Sequence, residues 1–367
     1  MSKILNYDQF MHMIDNEKIY KLFPKNLKSH DIQYEENKTF TVSNFDNKEC
    51  QNGIHITLFP YIFEWTCNCN YYYICEIIPD KNAKYVLYGN KIKTDIINVT
   101  NVSKISDFII SNIYDNEIRR FDVSRLLLLW SGVNNHVDVI EVIHKKYIKS
   151  KDSSSIFYGY GLNTVCEQVS ICGHVDVIKY LHEKLKVTRE HLTQTLTLSN
   201  ACSSGHLNIV EYLHKSVGFV KKDFEINSSS ICEKVCYYGH VHIIEYLHKE
   251  VGLTKQHFRQ KNNYDYGHHV NVIKYLHNEL KFTKEDLMSD NHYLCMNVCS
   301  NGHIDSVKYL HKDVGLTKED FEINNNSIYV NTYKFKYFDV TKYLLNEVKI
   351  NISLYQKFQL FLYWLFS

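Results

Sequence analysis

A ten-residue word recurs through the C-terminal two thirds of this chain, and it restricts the possible folds more than any other feature. The word is clearest as GHVDVIKYLH, GHLNIVEYLH, GHVHIIEYLH, HHVNVIKYLH and GHIDSVKYLH, and weaker as NHVDVIEVIH and KYFDVTKYLL. These seven copies start at residues 135, 173, 205, 239, 268, 302 and 336. Recurrence at about 34 residues indicates a supersecondary unit that is used once per repeat.

Histidine occupies two columns of the repeat. The second position holds His136, His174, His206, His240, His269 and His303, and the tenth holds His144, His182, His214, His248, His277 and His311. A residue type needed once in every unit points to packing or to a backbone hydrogen bond rather than to one active site. A metal-binding or catalytic role for these histidines is the less favoured alternative.

Within the word, polar and apolar positions follow the period of a helix. When the glycine is counted as zero, places 3, 6 and 10 are mostly polar, as in Asp176, Lys179 and Glu183, whereas places 2, 4, 5, 7 and 8 are apolar or aromatic. The three polar places fall on one narrow stripe, so the rest of each helix is predicted to be covered by other helices.

A second, shorter apolar pattern with small residues precedes each glycine, as in Ala201 with Cys202, and predicts a first helix joined to the second by a tight turn. After the second helix, segments such as VGLTKEDFE place a threonine where it can cap a short helical turn. These threonines are Thr188, Thr254, Thr283 and Thr317. Each unit is therefore predicted to be helix, turn, helix and connecting turn.

The repeat resembles the ankyrin repeat, whose usual phrase reads GHLEIVEVLL; ACSSGHLNIVEYLH and VCSNGHIDSVKYLH match that half closely. The form YLHKEVGLTKEDFE, built here from closely similar copies, is similar to the divergent ankyrin-repeat proteins of giant DNA viruses of amoebae. The resemblance implies a mainly α fold, an ankyrin-like helical solenoid of stacked helix pairs preceded by a small β-rich domain. It divides the chain into a leader (residues 1–103), about seven repeats (104–350) and an apolar C-terminal tail (351–367).

Composition limits the possible partners and compartments. The formal net charge of +1 gives no support for general attraction to nucleic acid or to anionic membranes. The absence of a long apolar run disfavours a membrane span, and the short tail FQLFLYWLFS is interpreted as a covering helix rather than a partner or membrane contact. Eleven cysteines behind a charged N-terminus favour a reducing intracellular location, the host cytoplasm if the protein is viral, and not secretion.

Cysteine spacing leaves metal binding open as a minor alternative. Cys232 with Cys236 and Cys295 with Cys299 could each place two thiolates on one helix face, but they occupy small apolar columns of the repeat. In the leader, zinc could be bound by Cys50, Cys67, Cys69 and Cys75, although the single residue between Cys67 and Cys69 departs from the usual spacing. No metal site, cofactor or catalytic residue is predicted.

The leader itself is rich in aromatic and β-branched residues. Segments 71–79 (YYYICEIIP) and 84–89 (KYVLYG), with the turn-forming DKNA between them, predict a β-hairpin in a small sheet. An aromatic platform for nucleic acid is the less favoured interpretation of the same residues.

The function predicted from these patterns is a non-enzymatic protein–protein interaction scaffold with protein partners and no small-molecule substrate. Variation is concentrated at the two positions before each repeat glycine, so recognition is predicted there and in the preceding connection; the residues singled out are Ser203, Ser204, Tyr237, Tyr238, Tyr266 and Asn301. Alternatively, the tyrosines simply cover a neighbouring helix pair. The competing function is an enzymatic or metal-binding leader whose substrate the repeats recruit.

Overall fold

A computed structural model describes residues 3–29, 32–46, 48, 52–58, 61–62, 71–89, 91–112, 121–148, 160–226, 228–259, 267–288 and 293–353. The chain divides into two compact units, residues 1–169 with 176–186 and residues 170–175 with 187–367. The described part is mainly α-helical, with a β-rich N-terminal region, as the sequence predicts.

The first unit opens with helix α1 (Tyr7–Met13), whose N-terminus is capped by the Asn6 side chain. Nine strands follow: β1 (Ile19–Pro24), β2 (Lys28–Ser29), β3 (Ile32–Gln33), β4 (Thr39–Thr41), β5 (Ile54–Leu58), β6 (Tyr71–Ile78), β7 (Tyr85–Tyr88), β8 (Lys91–Thr94) and β9 (Ile96–Lys104). Seven form an antiparallel sheet in the order β4-β9-β6-β1-β5-β8-β7, and β2 pairs with β3.

The two segments predicted to form a hairpin are both strands of this sheet, but the hairpin prediction is wrong. Strand β6 pairs with β1 and β9, whereas β7 pairs with β8 at one end of the sheet. The backbone of Tyr85, at the start of β7, exchanges two hydrogen bonds with Leu5 near the N-terminus. The turn between these two segments therefore does not join two paired strands. Which strand β7 pairs with depends on contacts across the whole sheet, and the local turn residues do not determine it.

The core of the sheet is built from residues that alternate along the strands. Ile19 and Phe23 of β1 belong to the same buried cluster as Cys75 and Ile77 of β6. On the neighbouring positions, Tyr20 contacts Phe108 of the helix that follows β9. Successive side chains of β1 thus point to opposite faces of the sheet, and both faces are covered, because Ile19 to Phe23 are all buried.

The remainder of the chain is helical. Its longer helices are α2 (Ile105–Asn112), α3 (Phe121–Val133), α4 (Val137–Ile148), α5 (Tyr160–Cys172), α6 (Val175–Glu183), α8 (Thr197–Ser203), α9 (Leu207–Tyr212), α11 (Ser228–Tyr237), α12 (Val241–Lys249), α14 (Val270–Asn278), α16 (Tyr293–Ser300), α17 (Ile304–Lys312), α19 (Ile323–Lys334) and α20 (Phe338–Tyr343). One-turn or slightly longer helices lie in the connections, as α7 (Arg189–Thr193), α10 (Lys221–Ile226), α13 (Lys255–Phe258), α15 (Lys284–Leu287) and α18 (Lys318–Phe321). π-Helical turns, Leu213–Val217 and Leu344–Val348, extend α9 and α20.

The helix phase predicted from the repeat word is confirmed. In α6, Val177, Ile178 and Leu181 are buried while Asp176 and Glu183 are exposed, and α17 repeats this arrangement. The small residues of the first helices, including Ala201, Cys202, Val235 and Cys236, are also buried. The second helices thus turn one polar stripe to solvent and bury places 4, 5 and 8, whereas place 2 is only partly covered and Phe338 in the last copy is exposed.

The predicted threonine caps are present as well. Thr283 Oγ1 accepts a hydrogen bond from the Asp286 backbone N–H at 3.3 Å, and the Thr283 backbone N–H donates to the Asp286 carboxylate at 2.7 Å. Thr254 and Thr317 form capping boxes of the same type, and Thr188 caps α7 through its hydroxyl. Each cap satisfies helix-start N–H groups that would otherwise lack a partner.

In the part of the chain that the structure describes, no helix combines the length and apolarity needed to cross a membrane. The apolar tail from residue 354 onward lies outside the described residues.

Candidate protein-interaction surface

In the copies that start at residues 135, 173, 205, 239, 302 and 336, the turn between paired helices has a left-handed backbone residue at the glycine position. Gly205 and Gly239 have φ of 78° and 77°, and the weaker copies place Asn135 and Lys336 in the same conformation with φ of 59° and 64°. A Cβ atom on Gly205 would lie 2.7 Å from the ring of His240 in the next unit. Glycine is therefore required there both by its φ and by the ring that covers it.

The first histidine column makes that covering contact and also a hydrogen bond. His206 Nε2 lies 2.8 Å from the Ile171 carbonyl oxygen, and His240 Nε2 lies 2.9 Å from the Ser203 carbonyl oxygen. Since a carbonyl oxygen only accepts, each Nε2 carries the hydrogen. Burial lowers the pKa of His240, with His242 and His206 acting in the same direction and the Ser203 bond opposing them.

The second histidine column contacts a tyrosine of the following unit. The Nδ1 to Tyr Oη distance is 2.9 Å for His214 with Tyr246 and 3.1 Å for His248 with Tyr275. The same contact recurs, at 3.0 Å in each case, as His144–Tyr180, His277–Tyr309 and His311–Tyr343. Burial raises the pKa of Tyr246 to about 12, so the phenol keeps its hydrogen at neutral pH.

These contacts support the packing and hydrogen-bonding interpretation of the histidine columns. In the sequence, the tyrosine at place 7 is recognisable as an aromatic position of the second helix but not as the partner of a histidine. A signal for the pairing was nevertheless there: the first copy has Val142 in the tyrosine column, and the last copy has Leu345 in the histidine column. The first copy therefore lacks the tyrosine, for which no preceding copy would supply a histidine. The last copy lacks the histidine, for which no following copy would supply a tyrosine.

The predicted recognition residues occupy the same turns. Tyr237 and Tyr238 are 39 % and 53 % exposed, and their ring centroids lie 4.9 Å apart in an edge-on arrangement. The Tyr237 ring lies 6.1 Å from that of His268, and the Tyr238 ring 6.2 Å from that of His240. We call these four residues, together with the exposed His242, the aromatic turn surface.

The other predicted recognition residues are less prominent. Asn301 is exposed, and Ser203 and Ser204 are partly buried, with the Ser203 hydroxyl donating to the Asn200 carbonyl at 3.2 Å. Tyr266 lies outside the described residues. Of the predicted set, the structure thus brings Tyr237 and Tyr238 together in one exposed cluster.

The connecting turns form a separate, charged set of contacts. The Asp286 carboxylate accepts hydrogen bonds from Lys255 and Arg259 of the preceding connection as well as from its own cap residue Thr283. Lys284 pairs with Asp320 at 2.5 Å, and Arg189 with Asp223 at 2.7 Å. Burial by itself would raise the pKa of Asp286, but the bonds from Lys255, Thr283 and Arg259 hold it well below its usual value. These ion pairs join consecutive connections.

The described cysteines that were considered as metal ligands are buried. Cys232 and Cys236 are each 1 % exposed, and burial raises the pKa of both thiols; Cys295 is fully buried, and its contact with Cys299 and its burial raise its pKa. Such thiols behave as small apolar side chains. In the leader, Cys50, Cys67 and Cys69 lie outside the described residues, and Cys75 is a buried core residue. Among the described residues, no group of three or more histidine, cysteine and acidic side chains is arranged to hold a metal ion.

Comparison with protein families gives a match for the N-terminal region. Residues 17–111 match the model of a family described as a domain of unknown function (DUF7666). A comparison with curated proteins found no match. The family match spans all nine strands and most of α2, so it concerns the β-rich N-terminal region, and the helical residues beyond 111 lie outside it.

Proposed function

We propose that this protein is a non-enzymatic protein–protein interaction scaffold in which residues 104–350 form an ankyrin-like solenoid of stacked helix pairs. The observation that carries the proposal is a difference between neighbouring positions of the repeat: some are constant and packed, and others vary and are exposed. Buried leucines, histidine–tyrosine contacts and turn glycines recur from unit to unit, while the residues immediately before each glycine vary and include the exposed Tyr237 and Tyr238.

Such a division suits a binding protein, because the surface can change without disturbing the packing. The histidine columns carry contacts between consecutive units, which leaves the variable turns as the better candidates for recognition. In the aromatic turn surface, two tyrosines offer large apolar rings and hydroxyl groups at small entropic cost, and tyrosine is enriched among residues that dominate binding energy.

The resemblance to giant-virus ankyrin-repeat proteins extends the proposal to origin and location: a viral protein that engages host or viral proteins inside the cell. The eight cysteines in the described part of the chain are free, which is the expected state in a reducing compartment.

The test begins with affinity capture from lysates of candidate host cells, followed by reconstitution of the identified partner with purified protein. Tyr237→Ala combined with Tyr238→Ala is expected to weaken binding by more than about 2 kcal/mol, because it removes both rings from the surface. The thermal melt of the free protein should change little, since both side chains are already exposed.

Met13→Ala is a control, because Met13 is 57 % exposed but lies in α1 of the N-terminal region, outside the repeats. It should leave binding unchanged. Binding that survives the double tyrosine change but is lost in His206→Gln, with the fold intact, would move recognition to the histidine column. A purified chain that binds no captured protein directly would contradict the scaffold function.

A further inference from the structure

A lysine occupies a core position of the N-terminal sheet. Lys21 lies on β1 between Ile19 and Phe23, on the face that packs into the buried cluster, and it is 6 % exposed. Its neighbour across the strand pair is Cys75 of β6, which is 1 % exposed. A strand position of this kind normally holds an apolar side chain, since burying an ammonium group is costly unless it is paired.

The amine of Lys21 is held by groups that carry no negative charge. Nζ donates a hydrogen bond to the His55 carbonyl oxygen at 3.1 Å and lies 5.2 Å and 5.4 Å from the ring centres of Phe23 and Tyr34. The titratable groups that face it are the Cys75 thiol of β6 and the Tyr34 phenol, and His55 of β5 contributes its backbone carbonyl. Within the described residues, no carboxylate forms an ion pair with Lys21.

A second buried lysine in the same sheet provides the contrast. Lys93 of β8 is fully buried, and its Nζ lies 3.0 Å from the Asp46 carboxylate and 2.6 Å from the Lys48 carbonyl oxygen. Lys93 thus has a carboxylate partner. For Lys21, burial lowers the pKa to about 8, with a smaller opposing effect of Cys75, so a substantial share of the amine is neutral at pH 7 to 8. A neutral amine is a nucleophile, whereas an ammonium group is not.

The Lys21 side chain also borders a cavity. Pairing between β1 and β5 includes Ile19 with Leu58 and Tyr20 with Thr57 but does not extend to Lys21. A cavity of about 30 Å³ lies where the strands part, lined by Tyr20, Lys21, Leu22, His55, Ile56 and Thr57. Its size suits a molecule of very few heavy atoms, and Lys21 is the only cationic side chain in this lining apart from a protonated His55.

We propose that Lys21 is a covalent capture site for a small neutral aldehyde. The Nζ lone pair adds to the carbonyl carbon, the carbonyl oxygen takes up two protons and leaves as water, and the nitrogen, having lost both of its protons, keeps a double bond to carbon. One amine and one aldehyde thus give one imine and one water, with no further reactant. An aldehyde fits better than an anionic electrophile because the lining offers no second fixed positive charge.

The test is reductive trapping on the full-length chain with acetaldehyde at a concentration below that of the protein, in the presence of cyanoborohydride at pH 7.5, followed by peptide mass mapping. Lys21 is expected to be labelled at least tenfold faster than Lys93 and than exposed lysines such as Lys249. The labelling rate should rise with pH and level off above about 8. Labelling of Lys21 no faster than of Lys93 or Lys249 would overturn the proposal.

Two further arms test the cavity and the residue. Benzaldehyde, which is too large for the cavity, should label Lys21 at least tenfold more slowly than acetaldehyde, and equal rates would contradict capture inside the cavity. Lys21→Met should lose the fast label and leave the slow labelling of other lysines unchanged; a fast label that persists in a folded Lys21→Met protein would assign the reaction to another residue. If Lys21→Met does not fold, the ratio of Lys21 to Lys93 labelling in the natural chain still decides.

Discussion

The helical units and the N-terminal sheet are stabilised by different kinds of contact. In the helical part, one set of contacts is used repeatedly: a buried leucine, a ring over a turn glycine, a histidine–tyrosine hydrogen bond and a capped connecting turn. In the sheet, the polar contacts that matter occur once each, as in the Lys93–Asp46 ion pair and the hydrogen bond from Lys21 to the His55 carbonyl oxygen.

This difference determines how many contacts of each region can be predicted from the sequence. A contact made in many units appears in the sequence as the same residue type at the same repeat position, so its residue types can be recognised by recurrence alone. A contact made once leaves no such trace. The difference also has an energetic side, because equivalent contacts in a repeated structure are expected to contribute similar free energies.

The largest expected effect is the loss of a buried leucine from a repeated position. Leu213 is fully buried, so Leu213→Ala should lower the free energy of unfolding by roughly 2 to 5 kcal/mol through lost burial and a residual cavity. Leu247→Ala and Leu310→Ala, at the same place in other units, should give similar losses in urea denaturation. Glu211→Ala, in the polar stripe, should change stability by about 0.5 kcal/mol or less. Widely different losses of unfolding free energy at the three leucines would contradict the equivalence of the units.

The sheet counterpart is Lys93→Met. It leaves the Asp46 carboxylate and the Lys48 carbonyl without the buried ammonium, so it should lower the free energy of unfolding, by less than the loss of a fully buried pair because Asp46 is partly hydrated. Lys21→Met is the matched control, and we expect it to be nearly neutral because no carboxylate is left unpaired. Native-state hydrogen exchange at β1 and β8 measures both. Equal losses would mean that ion pairing does not distinguish the two lysines.

A pH-dependent effect is expected at the connecting turns. Asp286 has a folded-state pKa below its unfolded value, so its contribution is complete above about pH 4 and is lost as the pH falls further. Asp286→Asn should therefore cost about 2 kcal/mol at pH 7, the value of a hydrogen bond to a charged group, and much less at pH 2.5. Urea denaturation at the two pH values measures the change; a cost that is the same at both would show that the carboxylate charge is unimportant.

The smallest effect concerns the histidine–tyrosine contact. Tyr246→Phe removes the hydroxyl that lies 2.9 Å from His214 Nδ1 and should cost about 1 kcal/mol. Tyr275→Phe should cost the same if the contact is equivalent in each unit. Tyr237→Phe, at an exposed ring of the aromatic turn surface, should leave stability unchanged. If it destabilises the fold as much as Tyr246→Phe does, Tyr237 is part of the packing and not a surface available for binding.

Prediction from sequence succeeds where a feature is set within a turn or two of helix. The polar stripe of α6, the threonine caps and the burial of Ala201 and Cys202 all depend on residues three or four apart, whose relative directions are fixed by helix geometry. The position of the candidate interaction residues follows in the same way, because Tyr237 and Tyr238 immediately precede a turn glycine.

Prediction fails where the partner is remote in sequence. The segments containing β6 and β7 read correctly as strands, yet they are not paired to each other, because strand pairing is a property of the whole sheet. The tyrosine partners of the histidine column lie 27 to 36 residues away, so no local pattern identifies them, and only the way both columns end at opposite ends of the series indicates the pairing.

The sequence by itself therefore determined the repeated helix pair, its polar stripe, its turn and its capped connection, since local geometry fixes each of them. Only the tertiary structure decided the order of the strands, the partner of each histidine and the contrasting environments of Lys21 and Lys93. Asp46 and Lys93 are 47 residues apart, and His55 and Lys21 are 34 apart. Whether a buried lysine meets a carboxylate or only a carbonyl oxygen depends on how those distant segments are brought together, and no spacing rule along the chain encodes that.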